Sequence, residues 1–269
     1  DVDYIVYAPS STLRDFSPYV NAKAVLSLWA GVETIITNAT LTMPLVRMVD
    51  PGMTQSMTEW VTGHVLRYHL GMDAHIVNPQ RQWVWHSNPL AQERNVCILG
   101  LGALGASVAN ALLAMNFNVS GWSRSEKTLS DVKCFHGTDG LIPALGTADI
   151  LVLLLPDTPD TENTLNDETL AALPRGAFVI NPGRGPLIDD AALIAALDSG
   201  QVAHATLDVF RTEPLPEDHP YWAHPKVTVT PHIAAATRPV TASIEIANNI
   251  RRAEEGLPFL NLVDRTRGY

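Results

Sequence analysis

At 269 residues the chain exceeds one ordinary core, which predicts one large or two moderate domains. Apolar residues at 46% and charged residues at 17% exclude a disordered chain or a coiled coil. Lys plus Arg is 18 against Asp plus Glu at 28, and the net charge of -10 argues against nucleic acid or an anionic membrane as partner, since both need cationic patches.

No apolar run is long enough to span a bilayer. The opening Asp1-Val2-Asp3 shows no basic-then-apolar leader. Two cysteines, Cys97 and Cys134, cannot form a disulfide framework and point to a reducing, cytoplasmic setting.

Three short extended segments are predicted first: Tyr4 to Ala8, Ala24 to Trp29 and Pro44 to Val49, joined by Pro-, Ser- and Asn-rich loops. Met57, Val61, Val65, Tyr68 and Met72 then recur at helical spacing, predicting a helix from Met57 to about His75. Asn78 to Asn88, rich in Pro, Gln and Trp, reads as a connector. From Asn95 the regime changes. Short apolar runs recur at Val96–Leu99, Val119–Trp122, Ile150–Leu155, Ala177–Ile180, Ala205–Val209 and Val227–Thr230. Most are continuously apolar, as parallel strands covered on both faces should be. Helices are predicted at Ala103 to Met115, Glu168 to Leu173, Asp190 to Leu197 and Val240 to Glu255. Alternation of strand and helix predicts an α/β fold with a doubly wound parallel sheet of Rossmann type.

Asn95-Val96-Cys97-Ile98-Leu99 runs straight into Gly100-Leu101-Gly102-Ala103-Leu104-Gly105 and then a helix. Glycines in this pattern also serve ordinary turns; the strand before and the helix after supply the context that makes it a dinucleotide site. Gly100 would make the tight turn, Gly102 would admit a pyrophosphate, and Gly105 would let helix and strand approach closely. The helix N-terminus offers unpaired N–H groups to the phosphates. Ser123 lies 18 residues beyond Gly105, where NAD-binding chains usually carry an acid for the ribose 2′-OH. Ser123-Arg124-Ser125, with Lys127 nearby, offers hydroxyls and cations instead, which suits a 2′-phosphate and predicts NADP(H) over NAD(H). The alternative is that Arg124 is a solvated surface residue.

Three later segments each follow a predicted strand end, the edge of an open α/β sheet where ligands bind. They are Ile180-Asn181-Pro182-Gly183-Arg184-Gly185, Leu207-Asp208-Val209-Phe210-Arg211-Thr212-Glu213-Pro214-Leu215-Pro216 and Thr230-Pro231-His232-Ile233-Ala234. Arg184 to Glu213 is 29 residues and Glu213 to His232 is 19.

With these motifs the chain resembles the D-isomer-specific 2-hydroxyacid dehydrogenases, above all their glyoxylate/hydroxypyruvate reductase A branch, over nearly its whole length. The resemblance implies that Arg184 holds the substrate carboxylate and polarises its keto oxygen. His232 would donate the proton as hydride arrives, and Glu213 would hydrogen-bond His232 and favour its charged form. Such roles match the chemistry, since a ketone accepting hydride develops alkoxide charge and needs a proton donor beside a fixed cation. The cofactor contacts implied are Gly100, Gly102, Ala103, Leu104, Gly105, Ser123, Arg124, Ser125, Pro156 and Asp208. Ala30 and Gly31, in Trp29-Ala30-Gly31-Val32-Glu33, would bind the substrate carboxylate through backbone N–H groups, and Arg238 would meet its outer oxygen or else form a surface ion pair. Trp29, Met53 and Met57 either shape the substrate pocket or are ordinary core.

Two domains are implied. Residues 1–56 and 238–269 would form a discontinuous, flavodoxin-like substrate-binding domain, and residues 57–237 the NADP-binding domain with its connecting helix and arm. The expected partners are a small anionic 2-keto or 2-hydroxy acid and a second copy of the chain, through the Trp83–Trp85 connector. No nucleic acid, membrane or metal is expected, the last because no paired His or Cys spacing is present. The remaining histidines, His64, His69, His75, His86, His136, His204, His219 and His224, read as polar or core residues.

The chain departs from the family pattern in two places. Pro182-Gly183 replaces an apolar-Ala pair, which would shift the arginine loop. The first domain would start at the family's third strand, leaving one edge of that strand bare. Competing readings are a formate dehydrogenase, which would pair its histidine with an amide rather than Glu213, and a phosphoglycerate dehydrogenase, which would show an NAD-type acid and further C-terminal domains. A nucleotide-sensing binding protein on the same fold is the reading outside enzymology, and no basic or disordered interaction tail favours it.

Overall fold

The computed structural model describes residues 2–76, 80–266 and 268. Two compact units emerge, Asp1–Gln55 with Ala236–Tyr269, and Ser56–Ala235.

In the first unit, β1 (Tyr4–Tyr7), β2 (Ala24–Ser27) and β3 (Leu45–Val46) form a parallel sheet in the order β1-β2-β3, with β1 at an edge. Strand alternation divides the side chains between two faces. Ile5, Tyr7, Val25 and Leu45 pack on one face with Phe16, Val32, Leu41 and Ile35 of the short helix α1 (Glu33–Ile36). Ala24, Leu26 and Val46 face the other way, against Ile246 and Ile250 of the final helix.

The second unit opens on α2 (Pro51–His69), whose first turn lies in the first unit, and on the single turn α3 (Asp73–Ile76). Seven parallel strands follow: β4 (Asn95–Leu99), β5 (Asn118–Ser123), β6 (Lys133–His136), β7 (Ile150–Leu153), β8 (Ala177–Asn181), β9 (Val202–Leu207) and β10 (Val227–Val229). Between them run α4 (Ala103–Ala114), α5 (Gly137–Leu145), α6 (Asp167–Ala171) and α7 (Asp190–Ser199), and α8 (Pro239–Glu254) closes the order. The sheet order β10-β9-β8-β7-β4-β5-β6 is a doubly wound arrangement whose direction reverses between β4 and β7. Leu99, Leu151, Leu153, Val179 and Leu207 pack on one face with Leu145, Leu193 and Leu197. Val96, Ile98, Val152 and Ile180 pack on the other with Val61, Val65, Val108 and Leu112. Among the described residues, no helix is long and apolar enough to cross a membrane.

Differences from the sequence-based expectation have local causes. The long helix starts at Pro51 rather than Met57, because Asp50 Oδ1 accepts the Met53 N–H at 3.0 Å and Pro51 supplies the helical φ at the first position. It stops at His69, where Gly71 turns left-handed at φ 59°, instead of continuing to His75. β6 and α5 had no apolar run or regular period to announce them. Met57 and Met53 are buried, Met57 within a core cluster, while Trp29 is exposed. Asn78 of the connector lies outside the described residues, as do Arg267 and Tyr269 of the C-terminal ending.

Candidate active site

The glycine segment leaves β4 at the point where the sheet order reverses, and each glycine answers a different steric demand. Gly100 has φ 109°, and a Cβ there would lie 2.4 Å from the Leu154 carbonyl oxygen. On Gly105 it would lie 1.9 Å from the Gly100 carbonyl oxygen, so α4 closes onto the strand only without a side chain. Gly102 is exposed, caps α4 without a side-chain bond, and would place a Cβ in open space. The chain itself therefore leaves room above Gly102, at a helix N-terminus with no acid in its first turn. Ala103 and Leu104 form that turn, and Pro156 follows β7 across the reversal.

At the end of β5, Ser123 is buried and its hydroxyl donates to the Ser125 carbonyl at 2.7 Å. Its donor is thereby used in the turn that leaves Arg124 and Ser125 exposed. Arg124 Nη1 stands 3.8 Å from Asp160 Oδ2 on the surface. The cradle has room for a dinucleotide, with open space at Gly102 and a helix N-terminus that holds neither an acid nor a side-chain cap.

Beyond the reversal, β8, β9 and β10 lie side by side and each ends in a loop at the same sheet edge. Arg184 follows β8. Asn181 shapes its loop, accepting the Gly183 N–H at 3.1 Å and donating to the Arg184 carbonyl at 2.9 Å. Gly183 tolerates no side chain, because a Cβ would stand 2.8 Å from the Leu153 carbonyl oxygen. The Arg184 guanidinium is half-buried, with Nη1 donating to the Gly183 carbonyl at 2.6 Å.

Glu213 and His232 meet across the next two loops. His232 Nδ1 and Glu213 Oε2 are 2.7 Å apart, and Glu213 Oε1 accepts the Phe210 N–H at 2.9 Å. With Nδ1 engaged, the imidazole presents Nε2 to a ligand. His232 has φ 52°, a left-handed conformation unusual for a side chain of this size. Asp208 secures it. Its fully buried carboxylate accepts the Thr230 hydroxyl at 2.6 Å, the Ile233 N–H at 2.9 Å and the Ala234 N–H at 2.8 Å, while its carbonyl accepts the His232 N–H at 2.8 Å. From the sequence Asp208 is expected only as a cofactor contact; the clamp is visible only in the fold. A lone acid directly after a buried strand was the available signal, since a buried carboxylate needs partners.

In the first unit, Trp29-Ala30-Gly31 follows β2. The loop is tied down on both sides: Trp29 carbonyl accepts the Met48 N–H at 3.0 Å, and Leu28 carbonyl accepts the Thr237 hydroxyl at 2.5 Å. Arg238, next to Thr237, is exposed and caps α8. Its stem passes Gly52, where a Cβ would stand 3.3 Å from Arg238 Cδ and 2.6 Å from Thr241 Oγ1.

A family profile described as "D-isomer specific 2-hydroxyacid dehydrogenase, NAD binding domain" matches residues 64–234. The chain belongs to the D-isomer-specific 2-hydroxyacid dehydrogenases. Among relatives of this dehydrogenase is a glyoxylate/hydroxypyruvate reductase A of Serratia proteamaculans, 43% identical over 255 residues, spanning 92% of this chain and 82% of the relative. A family member from Xanthobacter autotrophicus Py2, solved with NADPH and MES, superposes at TM-score 0.90 with 46% identity, over 94% of this chain and 81% of that one. An NADPH-dependent glyoxylate/hydroxypyruvate reductase of Sinorhizobium meliloti, solved with NADP and sulfate, gives TM-score 0.92 at 38% identity, over 99% and 86%. In this dehydrogenase, then, the strand-end loops carry the Arg, Glu and His that the sequence spacing singled out.

Proposed function

We propose that this dehydrogenase reduces glyoxylate and hydroxypyruvate to glycolate and D-glycerate with NADPH, and that its second unit binds the cofactor while its first binds substrate. The observation that carries this is the 2.7 Å pair between His232 Nδ1 and Glu213 Oε2, at the strand edge next to the glycine cradle. Relatives named for this reaction, and solved with NADPH or NADP, support the substrate class and the cofactor.

When bound, the nicotinamide supplies a hydride to the keto carbon. Arg184 holds the substrate carboxylate in its planar fork and directs positive charge at the keto oxygen. In the first unit, the N–H groups of Ala30 and Gly31 and the Arg238 guanidinium are the proposed substrate-binding groups. As the carbonyl electrons move onto oxygen, His232 Nε2 delivers a proton there. Glu213 keeps the imidazole oriented and balances the charge of its protonated form. Gly102 and the N-terminus of α4 take the pyrophosphate, and Arg124 with Ser125 takes the 2′-phosphate.

A homodimer in the cytoplasm completes the reading. Trp83 and Trp85 are 99% and 83% exposed on the arm, with Val84 between them, a surface that a second copy would cover. The two cysteines are unpaired, as in a reducing compartment. Light scattering on eluted protein should return twice the chain mass; a monomer would refute the pairing. The reaction is tested by following NADPH and NADH absorbance with each keto acid and resolving the product's enantiomers. NADPH-preferring formation of D-glycerate is expected, and no turnover with either acid would refute the reading.

A further inference from the structure

Arg211, two residues before Glu213, has no part in the reduction derived above, yet its guanidinium is among the most heavily bonded groups of the second unit. Nη2 donates to the Ile188 carbonyl at 2.7 Å and the Pro186 carbonyl at 3.3 Å, and Nε donates to the Ile188 carbonyl at 3.2 Å. These carbonyls belong to the loop that begins at Arg184. Nη1 meets Glu162 Oε1 at 3.4 Å and Nη2 meets Asn163 Oδ1, both on the loop that follows β7. Asp190 Oδ2 lies 3.9 Å from Nε, and Asp190 Oδ1 in turn accepts the buried Tyr221 hydroxyl at 2.8 Å.

The backbone beneath makes the same junction. A Cβ on Gly185 would fall 1.9 Å from the Phe210 carbonyl carbon and 2.3 Å from the Arg211 nitrogen, so the peptide after Arg184 rests directly on the Phe210–Arg211 peptide. The N–H of Phe210 is the donor that holds Glu213 Oε1, and Glu213 Oε2 holds His232. One contiguous path therefore runs from Arg184 through Gly185, Phe210–Arg211 and Glu213 to His232.

We infer that Arg211 is a positioning residue that locks the Arg184 loop to the Glu213–His232 pair, so that carboxylate binding and proton delivery act on one substrate in register. The inference rests on the proposed reduction, in which those three residues act together. A planar fork is required, because its acceptors lie on two loops and on Asp190 at the start of α7; an ammonium on a flexible stem cannot span them. Misplacement of reacting groups by about 1 Å costs on the order of a hundredfold in rate, so the signature belongs in kcat and not in cofactor affinity.

The test compares wild type with Arg211→Ala and Arg211→Lys. For each, kcat and KM for glyoxylate are measured together with the NADPH dissociation constant by fluorescence, with and without free guanidinium at a non-denaturing concentration. Expected are a fall in kcat of about ten- to hundredfold in both variants, an unchanged NADPH dissociation constant, and partial recovery of Arg211→Ala by guanidinium. Wild-type kcat in the variants would overturn the inference, as would a loss of NADPH binding in step with kcat. Should Arg211→Ala not fold, Arg211→Lys carries the same prediction, and wild-type turnover from it is the contrary result. An inactive wild type would refute the reduction itself; an active wild type with unaffected variants refutes only the role of Arg211.

Discussion

His232 carries the strain of a left-handed backbone, which costs roughly 1–3 kcal/mol and persists only where its surroundings enforce it. Asp208 provides that enforcement through Thr230, Ile233 and Ala234. In Asp208→Asn the amide must turn one donor toward a backbone N–H, leaving a buried group unsatisfied. Urea unfolding should show a loss of about 1–3 kcal/mol, accompanied by slower turnover. At the cofactor rim, a hydrogen bond to a charged phosphate contributes about 1.5–3 kcal/mol, so Arg124→Ala should weaken NADPH about ten- to hundredfold and leave NADH unchanged. Fluorescence titration at fixed salt measures both; equal weakening of the two cofactors would contradict the assignment. The Arg184, Glu213 and His232 triplet was legible in the sequence because each lies in a short motif at a strand end. The clamp by Asp208 and the junction at Arg211 were not, because their partners lie 21 to 49 residues away and only the fold brings them close.

Among the elements, the strands of the second unit were readable because burial on both faces demands continuous apolar runs. β6 escaped notice as an edge strand, Lys133-Cys134-Phe135-His136, with exposed ends. α5 carries Gly137, Gly140 and Pro143, poor helix formers that signal a loop, and it is held instead by Ala144 and Leu145 in the core. The start of α2 was hidden by Pro51-Gly52, a pair that reads as a turn until Asp50 is recognised as the cap. Glycines separate structural from ligand-binding demands within one element. An alanine at Gly102 meets no atom of the chain and should change the unfolding free energy by no more than an ordinary surface substitution does, about 0.5 kcal/mol in urea unfolding. The same Gly102→Ala should sharply weaken NADPH, because the methyl occupies the space proposed for the pyrophosphate. Unchanged NADPH affinity would remove that segment from the site.

At the scale of the whole molecule, half-buried imidazoles link stability to pH. Burial, reinforced by the Arg67 charge, lowers the His64 and His204 pKa values from 6.5 to about 4. The unfolded chain takes up these protons first, so the stabilisation is complete above about pH 6.5 and is lost as pH falls toward 4. Melting temperature should decline across that window, and a His64→Gln, His204→Gln double variant should show a shallower decline. Both histidines looked unremarkable in the sequence, since burial is a property of the assembled α2 and sheet. The sheet's order likewise could not be read from apolar runs alone, although strand and helix alternation foretold its doubly wound class. The proposed reduction stands on His232 acting as proton donor from the loop after β10, beside the loops that carry Arg184 and Glu213. Its most direct test is kcat for glyoxylate in His232→Ala, measured alongside NADPH affinity. A loss of about a hundred- to ten-thousandfold with NADPH binding retained is the predicted result; turnover equal to wild type would contradict it.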